Sequence, residues 1–597
     1  MTILEQIFIK RGMKTKKEIE KFINPPKPET FTANDFGLTK TGLKKAVDRI
    51  QKSFKNNKPI FIHGDYDVDG ICATAILWEA IYFNLSYQNV HPFIPHRTNH
   101  GYGLTLKSIE EIQRQRTGTL SCYDDTNHSN KNSQKALLIT LDCGITAFEE
   151  IKYANSLGFE VIVLDHHEKD KKLPKACAIL HSTQVCSTAL AWFLSKNLQL
   201  FEPELLESEP IRPELTARRP RSRRPQSRRP TTYNLQPNLD LVALATIADL
   251  EPLINLNRSF AKYGLEELNQ TQRIGLQELI KIAGIENRKI GTYEVGWMLG
   301  PRLNAMGRLE SALDSLRLLC THDRTRAKEL AQKLNEANYQ RQEMTKKAVE
   351  QARQIASSYP LTPSSSLLIL SHSDWHEGII GLIASKMTEE FGRPTLAISI
   401  GETVSKGSAR SIEGFNLVEN LRLHQDLLIN VGGHPMAAGL TIKTAKIAEF
   451  TDRFSNDLSQ GVPLSTQGDP LWNGKAVPQQ KFKVDLNLNP SDISFDLYQQ
   501  LQSLEPFGLG NPQPLFQTKG LIINELKLVG KENQHLKLKV ADDKANILDS
   551  IGFSLGFWAN ELKVGDQVNL IYYLEKDDFN GNQKVQLRVK TIEKVAL

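Results

Sequence analysis

Three short apolar runs, separated by stretches with helical periodicity, place the strongest constraint on the fold of this chain. They are PIFIH (59–63), ALLITL (136–141) and EVIVL (160–164), and each ends in, or is followed directly by, Asp or His. Apolar strands that alternate with helices are typical of a parallel α/β sheet. Ligands of such sheets bind beyond the carboxyl ends of the strands. The pattern therefore predicts polar ligands from three strands at one edge of the sheet.

A chain of 597 residues is too long for one hydrophobic core, so we expect several domains. Residues 324–358 lack Gly and Pro and place Leu330, Leu334 and Ala337 at helical spacing, which predicts one long connecting helix. The apolar run LLIL (367–370) opens a second α/β unit. The predicted division is a helical part of the first domain at 1–57, its parallel-sheet part at 58–323, a connecting helix at 324–358, a second α/β domain at 359–460, a linker at 461–493 and an all-β domain at 494–597.

The last of these domains shows alternation of apolar and polar residues, as in 536–540 and 585–589. The pair Asn580-Gly581 between two such runs is a strong hairpin signal. A small β-barrel with a basic face is typical of an OB-fold that binds single strands, although barrels of this size also have purely structural roles.

The sequence predicts two further elements of secondary structure outside these apolar runs. Ile71 to Phe83 has the spacing of an amphipathic helix that follows the first strand. Leu241 to Leu250 is a buried helix or strand in which Asp249 is the only charged residue. A buried acid needs a partner, so we expect one at Asp249.

Composition excludes several classes of protein. No apolar run is long enough to span a bilayer, which predicts a protein without a membrane partner. The first residues, MTILEQIFIKRGMKTKKEIEKF, carry acids and amphipathic spacing in place of the apolar stretch of a signal peptide, so we expect a cytoplasmic protein. The six cysteines contain no Cys-x-x-Cys pair, which favours reduced thiols over disulfides or a zinc site.

The formal charge of +6 depends on one segment. Residues 216–230 (TARRPRSRRPQSRRP) carry seven arginines, without which the charge would be −1. A Pro, Arg and Ser repeat cannot bury apolar surface, so we predict a disordered insertion at 202–235. It is either a simple linker or an arm that attracts phosphates.

The residues with the clearest chemistry lie in HGDYDVDG (63–70), directly after the first strand. One histidine and three carboxylates lie close together there, and alternate aspartates of an extended turn could converge on a metal ion. A purely structural Asp-rich turn is the alternative. Asp142, His166-His167 and Asp249 would add Asp and His groups from three further places at the same edge, which favours the metal site.

Imidazole and carboxylate ligands without thiolates suit Mn²⁺, with Mg²⁺ possible. The number of ligands fits two divalent cations. A pair of such ions can generate a hydroxide and stabilise charge during in-line attack on phosphorus. The sequence therefore predicts hydrolysis of a phosphoester or phosphoanhydride.

Four segments in their order along the chain resemble the motifs of the DHH phosphoesterase superfamily. They are HGDYDVDG (63–70), LDCGI (141–145), DHH (165–167) and ATIAD (245–249). Six more resemble the RecJ family of that superfamily and extend the resemblance over nearly the whole chain. These are GPRLNAMGRLESA (300–312), DWHEGIIGLIASKM (374–387), FGRP (391–394), KGSARSIEGFNL (406–417), GGHPMAAG (432–439) and EPFGLGNPQPLF (505–516).

The resemblance implies a set of site residues. His167 would face the substrate phosphate, Asp165 would orient a metal ligand, and Asp65 would be a neighbour of the site. Asp142 would bridge the two ions. The implied metal ligands are His63, Asp67, Asp69, Asp142, His166 and Asp249.

The resemblance also implies a path for nucleic acid. Each arginine in it could instead form a surface ion pair, and the glycine-rich segment at 432–439 could be only a tight turn. An arginine fork suits a phosphate, as do glycine N–H groups beside a histidine. The implied substrate-binding residues are Arg302, Asn304, Arg308, Ser408, Arg410, Gly432, Gly433 and His434.

By resemblance, the expected activity is that of a 5′ to 3′ exonuclease that releases mononucleotides from single-stranded DNA in repair and recombination. Single-strand-binding protein and a helicase are the expected partners of a monomer. One alternative is hydrolysis of short oligonucleotides or cyclic dinucleotides, which the all-β domain at 494–597 disfavours. The other is a non-catalytic scaffold, which the intact ligand set disfavours. The insertion at 202–235 departs from the compact spacing of the family but leaves the ligands intact.

Overall fold

The computed structural model describes residues 1–117, 135–200, 238–358, 367–459, 482–577 and 584–595. These residues form a five-stranded parallel sheet, a five-stranded mixed sheet and a closed barrel. The predicted fold class, with two α/β domains, a long connecting helix and an OB-type barrel, is confirmed. The predicted insertion at 202–235, most of the predicted linker at 461–493 and the Asn580-Gly581 hairpin tip lie outside the described residues.

The first sheet has the strand order β2-β1-β3-β4-β5, and all its neighbouring strands are parallel. The three predicted strands are β1, β3 and β4, which lie side by side in this order, so their carboxyl ends meet at one edge. The strands are β1 (Ile60–Gly64), β2 (Val90–Phe93), β3 (Ala136–Leu141), β4 (Phe159–Asp165) and β5 (Ala178–His181).

Helices cover both faces of this sheet and continue into an α-helical region. In chain order, the helices up to the second sheet are α1 (Ile3–Lys10), α2 (Lys16–Ile23), α3 (Lys40–Lys55), α4 (Val68–Glu79), α5 (Leu106–Thr117), α6 (Phe148–Ser156), α7 (Ser187–Leu200), α8 (Leu239–Ala248), α9 (Asn255–Leu268), α10 (Ile274–Ile282), α11 (Thr292–Glu294), α12 (Gly300–Leu309), α13 (Leu313–Cys320) and α14 (Arg324–Ser358).

Helix α4 differs from the amphipathic helix predicted for Ile71 to Phe83. It begins at Val68, and a π-helical turn, Ala80–Asn84, follows it. Every residue from Val68 to Leu77 is buried, because α7, α8 and α13 pack around it. The prediction of a solvent-exposed face was therefore wrong. The buried segment predicted at Leu241 to Leu250 is a helix, α8, and it is buried as far as Ile247; Asp249 is the C-cap, and Leu250 is 71% exposed.

The first two helices do not pack on the first sheet, although we expected residues 1–57 to belong to that domain. Ile7 and Phe8 of α1 lie in the core of the barrel, and Phe22 of α2 packs against it. Helix α3, in contrast, contributes Val47 and Ile50 to the core of the first domain. The contacts thus divide this segment between two cores.

Helix α14 spans 35 residues without interruption, as predicted. Its first half contributes Ala331 and Leu334 to the core of the first domain, and its second half contributes Ala352 and Ala356 to a core beneath the second sheet. One helix therefore joins the two α/β domains and fixes the spacing between them.

The second sheet has the order β6-β7-β8-β10-β9, in which only β6 and β7 are parallel. The glycine-rich segment, 432–439, includes the end of the edge strand β9 and the start of β10. The elements are β6 (Leu368–His372), α15 (Ile380–Phe391), β7 (Thr395–Ser399), β8 (Val404–Arg410), α16 (Leu417–Arg422), β9 (Leu428–His434), β10 (Ala437–Lys443) and α17 (Ile447–Ser459).

The barrel closes where β12 pairs with β15, and Phe516 and Tyr572 fill its core. Its elements are β11 (Leu486–Asn487), α18 (Phe495–Gln502), β12 (Phe516–Val529), β13 (His535–Ala541), β14 (Ile547–Gly552), β15 (Gln567–Asp577) and β16 (Lys584–Lys594). Among the helices described, none is both long and apolar enough to cross a membrane.

Candidate metal centre and phosphate-binding groove

Five segments bring acidic and imidazole groups together at the carboxyl edge of the first sheet. Strand β1 supplies His63, and the turn into α4 supplies Asp65, Asp67 and Asp69. The other members follow β3, end or follow β4, and follow α8; they are Asp142, Asp165, His166, His167, Asp249 and Glu251.

Two side chains, at the end of β1 and just after it, have buried atoms without hydrogen-bond partners in the described part of the chain. These atoms are Nε2 of His63 and both carboxylate oxygens of Asp65. Burial lowers the pKa of His63 to about 4, so the ring is neutral and its unpaired nitrogen is available as a ligand atom. Burial, together with the charge of Asp67, raises the pKa of Asp65 well above its usual range. Buried polar atoms without partners are costly, and a cation would offset that cost.

The first turn of α4 holds two aspartates in defined positions. The carboxylate of Asp67 caps the helix by accepting a hydrogen bond from Gly70 N at 3.1 Å. The carboxylate of Asp69 accepts hydrogen bonds from the backbone N–H groups of Ser187 and Thr188, both at 2.8 Å. Because these donors lie at the start of α7, they also present the positive end of a helix dipole to Asp69.

Asp142 lies at the centre of the cluster. Its backbone has φ of 62°, a left-handed conformation that is uncommon for a residue other than Gly. Such backbone strain occurs often at functional sites. Burial, and then the charges of Asp69 and Asp67, raise the pKa of Asp142 well above its usual range. The cluster thus contains more carboxylates than its hydrogen bonds alone can keep ionised.

His166 is oriented by a carboxylate on one side and faces aspartates on the other. Nδ1 lies 3.0 Å from Oε1 of Glu251, whereas Nε2 lies 3.2 Å from Asp142 Oδ1, 3.6 Å from Asp249 Oδ2 and 3.8 Å from Asp69 Oδ2. Although burial disfavours a charged ring, the hydrogen bonds to Asp142 and Glu251 outweigh that effect and raise the pKa of His166 to about 12. The ring is therefore protonated, and its positive charge lies at the point where the aspartates converge.

Asp165 holds the neighbouring histidine, His167. Its Oδ1 lies 2.7 Å from His167 Nδ1, and Tyr102 Oη lies 3.1 Å from His167 Nε2. Although burial alone would raise the pKa of Asp165, these contacts with His167 and the N–H of Ile145 hold it below its usual range. The side chain of His167 is 44% exposed, so solvent can reach it beside the buried carboxylates of the cluster.

Three overlapping groups of side chains have ligand atoms within 4.8 Å of one another. Asp142 belongs to two groups and His166 to two. The groups are Asp65, Asp67 and Asp142; Asp142, His166 and His167; and Asp69, His166 and Asp249. This arrangement can hold cations on both sides of Asp142.

Guanidinium groups from both α/β domains lie beside this cluster. Arg97 lies over the ring of Tyr66, 5.1 Å from its centroid, and Arg308 donates to Gly378 O at 3.1 Å across the two domains. Burial, and then the like charges of Arg97, Arg341 and Arg410, lower the pKa of Arg308 to about 10. Within the described segments, Arg97, Arg308 and Arg410 form no ion pair with a carboxylate. Half-buried guanidinium groups that lack a carboxylate partner and lie beside a metal centre suit an anionic ligand such as phosphate.

The other residues predicted to bind substrate lie in different environments. Asn304 accepts a hydrogen bond from Val68 N at 3.0 Å, which supports the turn into α4. Arg302 donates to Asn335 Oδ1 and Met298 O, at the wall of a cavity of about 360 Å³ beside α14. Both side chains are thus engaged with the protein itself.

The second sheet aligns its predicted residues in two rows. Arg410 of β8 pairs with Ala437 of β10, which pairs with His434 of β9. Two residues further along, Ser408 and Gly432 both pair with Gly439. Gly433 lies between the rows, so β8 and β9 present Ser408, Arg410, Gly432 and His434 at one end of the sheet.

Three domain models match the chain. The DHH family N-terminal domain matches residues 59–211, the DHHA1 domain matches residues 364–460, and the RecJ OB domain matches residues 484–591. The order of these matches is the order of the two sheets and the barrel.

A curated relative from Bacillus subtilis (strain 168), a single-stranded-DNA-specific exonuclease RecJ, is 31% identical over 590 residues. The match covers 98% of this chain and 67% of the relative. The chain belongs to the RecJ family. Another RecJ of the same description, from Escherichia coli (strain K12), is 28% identical over 99% of this chain and 95% of its own length.

A solved RecJ structure has the same overall arrangement. It is RecJ from Thermus thermophilus in complex with Mn²⁺, with a TM-score of 0.73 and 25% sequence identity. The similarity covers 99% of this chain and 76% of that one. The RecJ fold therefore extends over both α/β domains and the barrel.

Within this RecJ site, sequence reasoning missed three residues. We expected Asp165 to orient a metal ligand: it accepts a hydrogen bond from the backbone N–H of His166 and lies against the ring of His167. The carboxylate that lies against the ring of His166 is that of Glu251. The signal for Glu251 was its position two residues after Asp249. Arg97 and Tyr102 lie in the connection between β2 and α5, for which no pattern indicated a role.

Proposed function

We propose that this chain is a 5′ to 3′ exonuclease that releases mononucleotides from single-stranded DNA with two divalent cations, Mn²⁺ or Mg²⁺. The observation that carries the proposal is the position of Asp142 between two groups of ligand atoms, next to unpaired guanidinium groups of both α/β domains. Family membership supports it, because the relatives are single-stranded-DNA-specific exonucleases.

The donor set of the site fits divalent cations. Its carboxylates and imidazoles, without thiolates among the converging groups, are typical ligands of Mn²⁺. The buried atoms of His63 and Asp65 that lack partners supply further unused donors. The residues proposed to hold the cations are His63, Asp67, Asp69, Asp142, His166 and Asp249, with Asp142 shared.

When bound, two such cations would activate water and stabilise the charge that develops on the phosphorus oxygens. The chain's own residues prepare that site. Glu251 accepts a hydrogen bond from Nδ1–H of His166, so Nε2 would become the ligand atom once a cation replaces its proton. The N–H groups of Ser187 and Thr188 fix the carboxylate of Asp69. Ligands held in this way require little reorganisation when cations and substrate bind.

The substrate would be held by the guanidinium groups and by His167. Arg308 and Arg410 reach the groove from opposite domains and can share a terminal or scissile phosphate. Asp165 fixes a proton on Nδ1 of His167, so Nε2 is the atom that exchanges a proton or hydrogen bond with the phosphate. Tyr102 occupies that Nε2 position at 3.1 Å in this structure.

The barrel would explain why the enzyme prefers long single strands as substrates. An OB-type barrel tracks the backbone and stacks bases, so it would hold the strand downstream of the cleaved end. We further propose that the protein acts as a monomer in the cytoplasm, in repair and recombination, after a helicase and single-strand-binding protein have exposed the strand.

The test is degradation of single-stranded DNA labelled at the 5′ or the 3′ end, with Mn²⁺ or with EDTA. The wild type, Asp142→Ala and the matched surface variant Asp496→Ala would be compared, with folding checked by circular dichroism. We expect early loss of the 5′ label as mononucleotide with the wild type and Asp496→Ala, and none with EDTA or Asp142→Ala. Early loss of the 3′ label would overturn the polarity, and activity confined to cyclic or very short substrates would overturn the exonuclease.

A further inference from the structure

The loop between α8 and α9, residues 249–254, carries Asp249 and Glu251 on one side and contacts the barrel on the other. The barrel segment that it contacts is residues 505–511, here called the barrel loop. The backbone N–H of Leu253 donates a hydrogen bond of 2.7 Å to the carbonyl oxygen of Leu509. The Leu253 side chain is buried, with 2% of its surface exposed. A single residue, Pro252, therefore separates Glu251 from a direct contact with another domain.

The barrel loop approaches this contact through glycines. A Cβ atom at Gly508 would lie 2.7 Å from Cδ1 of Leu253, which is closer than real contacts allow. Gly510 has φ of +75°, and a Cβ there would lie 3.2 Å from Cβ of Pro252. The two loops thus pack so closely that any side chain at Gly508 must displace Leu253.

The barrel loop is itself held in one conformation. Asn511 is 1% exposed, and its Nδ2 donates to the carbonyl oxygens of Leu504 and Pro506, both at 2.8 Å. Its backbone exchanges two hydrogen bonds with Gly508, at 2.9 and 3.1 Å. A loop braced in this way can position Leu253, whereas a mobile loop could not.

A second contact, about one helical turn after Leu253, joins α9 to the barrel loop. Arg258 of α9 is 1% exposed, and its Nη2 donates to the carbonyl oxygen of Glu505 at 2.9 Å. Its guanidinium also lies over the ring of Phe22, 3.7 Å from the centroid. Asn257, on the same helix, donates to Glu251 Oε2 at 3.3 Å. Helix α9 therefore links the barrel loop to the carboxylate that orients His166.

We propose that the barrel loop is a positioning element of the metal centre: through Leu253 it places Asp249 and Glu251, so the C-terminal barrel helps set the cation affinity of the first domain. This proposal rests on the proposed function, because it requires that the centre binds divalent cations. Gly508, Leu509 and Asn511 are the positioning residues, and none of them touches the reacting atoms.

The barrel offers a matched control for a test at Gly508. A Cβ at Gly552 would lie 2.7 Å from Cδ1 of Leu555, the same distance as in the contact between Gly508 and Leu253. Leu555, however, packs within the barrel core. Gly508→Ala and Gly552→Ala thus introduce the same crowding, but only the first acts on the loop of Asp249.

The experiment measures the Kd for Mn²⁺ of the full chain by electron paramagnetic resonance of the free ion. We expect Gly508→Ala to weaken Mn²⁺ binding about tenfold, as changes to groups behind metal ligands do, and Gly552→Ala to leave the Kd unchanged. Removing the crowded side chain in Gly508→Ala/Leu253→Ala should restore most of the affinity, as coupled neighbours do in a double-mutant cycle. Excess Mn²⁺ should return kcat of Gly508→Ala to the wild-type value.

Two outcomes would overturn the positioning role alone: an unchanged Kd in Gly508→Ala, or equal weakening in both glycine variants. A wild-type chain that binds no Mn²⁺ would overturn the metal centre itself and this proposal with it.

Discussion

Glu251 and His166 form a carboxylate–imidazole pair, with Oε1 3.0 Å from Nδ1, and the other nitrogen of the ring faces three aspartates. A carboxylate behind a ligating histidine fixes the tautomer and makes the ring a better ligand. Two related sites with the same aspartates would therefore differ in cation affinity if only one of them had a carboxylate behind its histidine.

Replacing Glu251 with Gln should therefore weaken Mn²⁺ binding by about 10-fold to 100-fold. The amide can still accept a hydrogen bond, but it lacks the charge that increases the basicity of the ring. Calorimetric titration with Mn²⁺ would measure the Kd, with Glu310→Gln as control, because Glu310 pairs with Lys333 on the surface. Equal Kd values for the two variants would show that Glu251 does not tune the ligand.

Asp142→Asn should remove the stabilisation by cations without destabilising the cation-free chain. Burial and the charges of Asp69 and Asp67 raise the pKa of Asp142, so its ionised form is disfavoured until a cation binds. The wild type should gain about 2.7 kcal/mol in free energy of unfolding at a Mn²⁺ concentration 100 times the Kd. Urea unfolding with EDTA and with Mn²⁺ would measure the gain, and a variant that keeps it would contradict the shared role of Asp142.

Arg410→Gln should reduce the salt dependence of binding to single-stranded DNA. If Arg410 neutralises one phosphate, the slope of log K against log salt concentration should fall by about 0.7. Fluorescence anisotropy with a labelled oligonucleotide and Ca²⁺ in place of Mn²⁺ would measure the slope. The control is Arg317→Gln, which breaks a surface ion pair with Asp314 and should leave the slope unchanged. An unchanged slope in Arg410→Gln would place this residue outside the strand's path.

His424→Phe should make the second α/β domain less sensitive to acid. His424 is buried against Phe450 and Phe454, and neither ring nitrogen has a hydrogen-bond partner in the described residues. Burial lowers its pKa below the ordinary value of about 6.5 despite the opposing charge of Asp457.

The unfolded chain therefore binds a proton that the folded chain excludes, and stability falls as the pH decreases below about 6.5. Unfolding at pH 7 and pH 5 would measure this loss, which should be smaller in His424→Phe. If the wild type and the variant lose the same free energy between these values, the ring does not titrate as proposed.

The strands and their terminal residues could be predicted because the signal is local. Each apolar run and the Asp or His at its end lie within a few residues, so β1, β3 and β4 and the convergence of their terminal residues at one edge follow from pattern alone. The roles of Asp165 and Glu251 could not be predicted, since they depend on which histidine each carboxylate meets in space.

Helix α4 shows a second limit. Its periodicity could not indicate that α7, α8 and α13 would bury every side, because those helices come from distant parts of the sequence. Arg97 belongs to the same class, since its proximity to Arg410 arises only when the two α/β domains meet.

The packing of α1 and α2 against the barrel has a consequence for biosynthesis. Arg11 hydrogen bonds Asn511, 500 residues further along the chain, and Ile7 and Phe8 complete the barrel core. The ribosome therefore synthesises the apolar residues of α1 long before it synthesises the strands that cover them. The helices must stay exposed, or bind a chaperone, until β16 emerges, so we expect this core to be the last part of the molecule to form during translation.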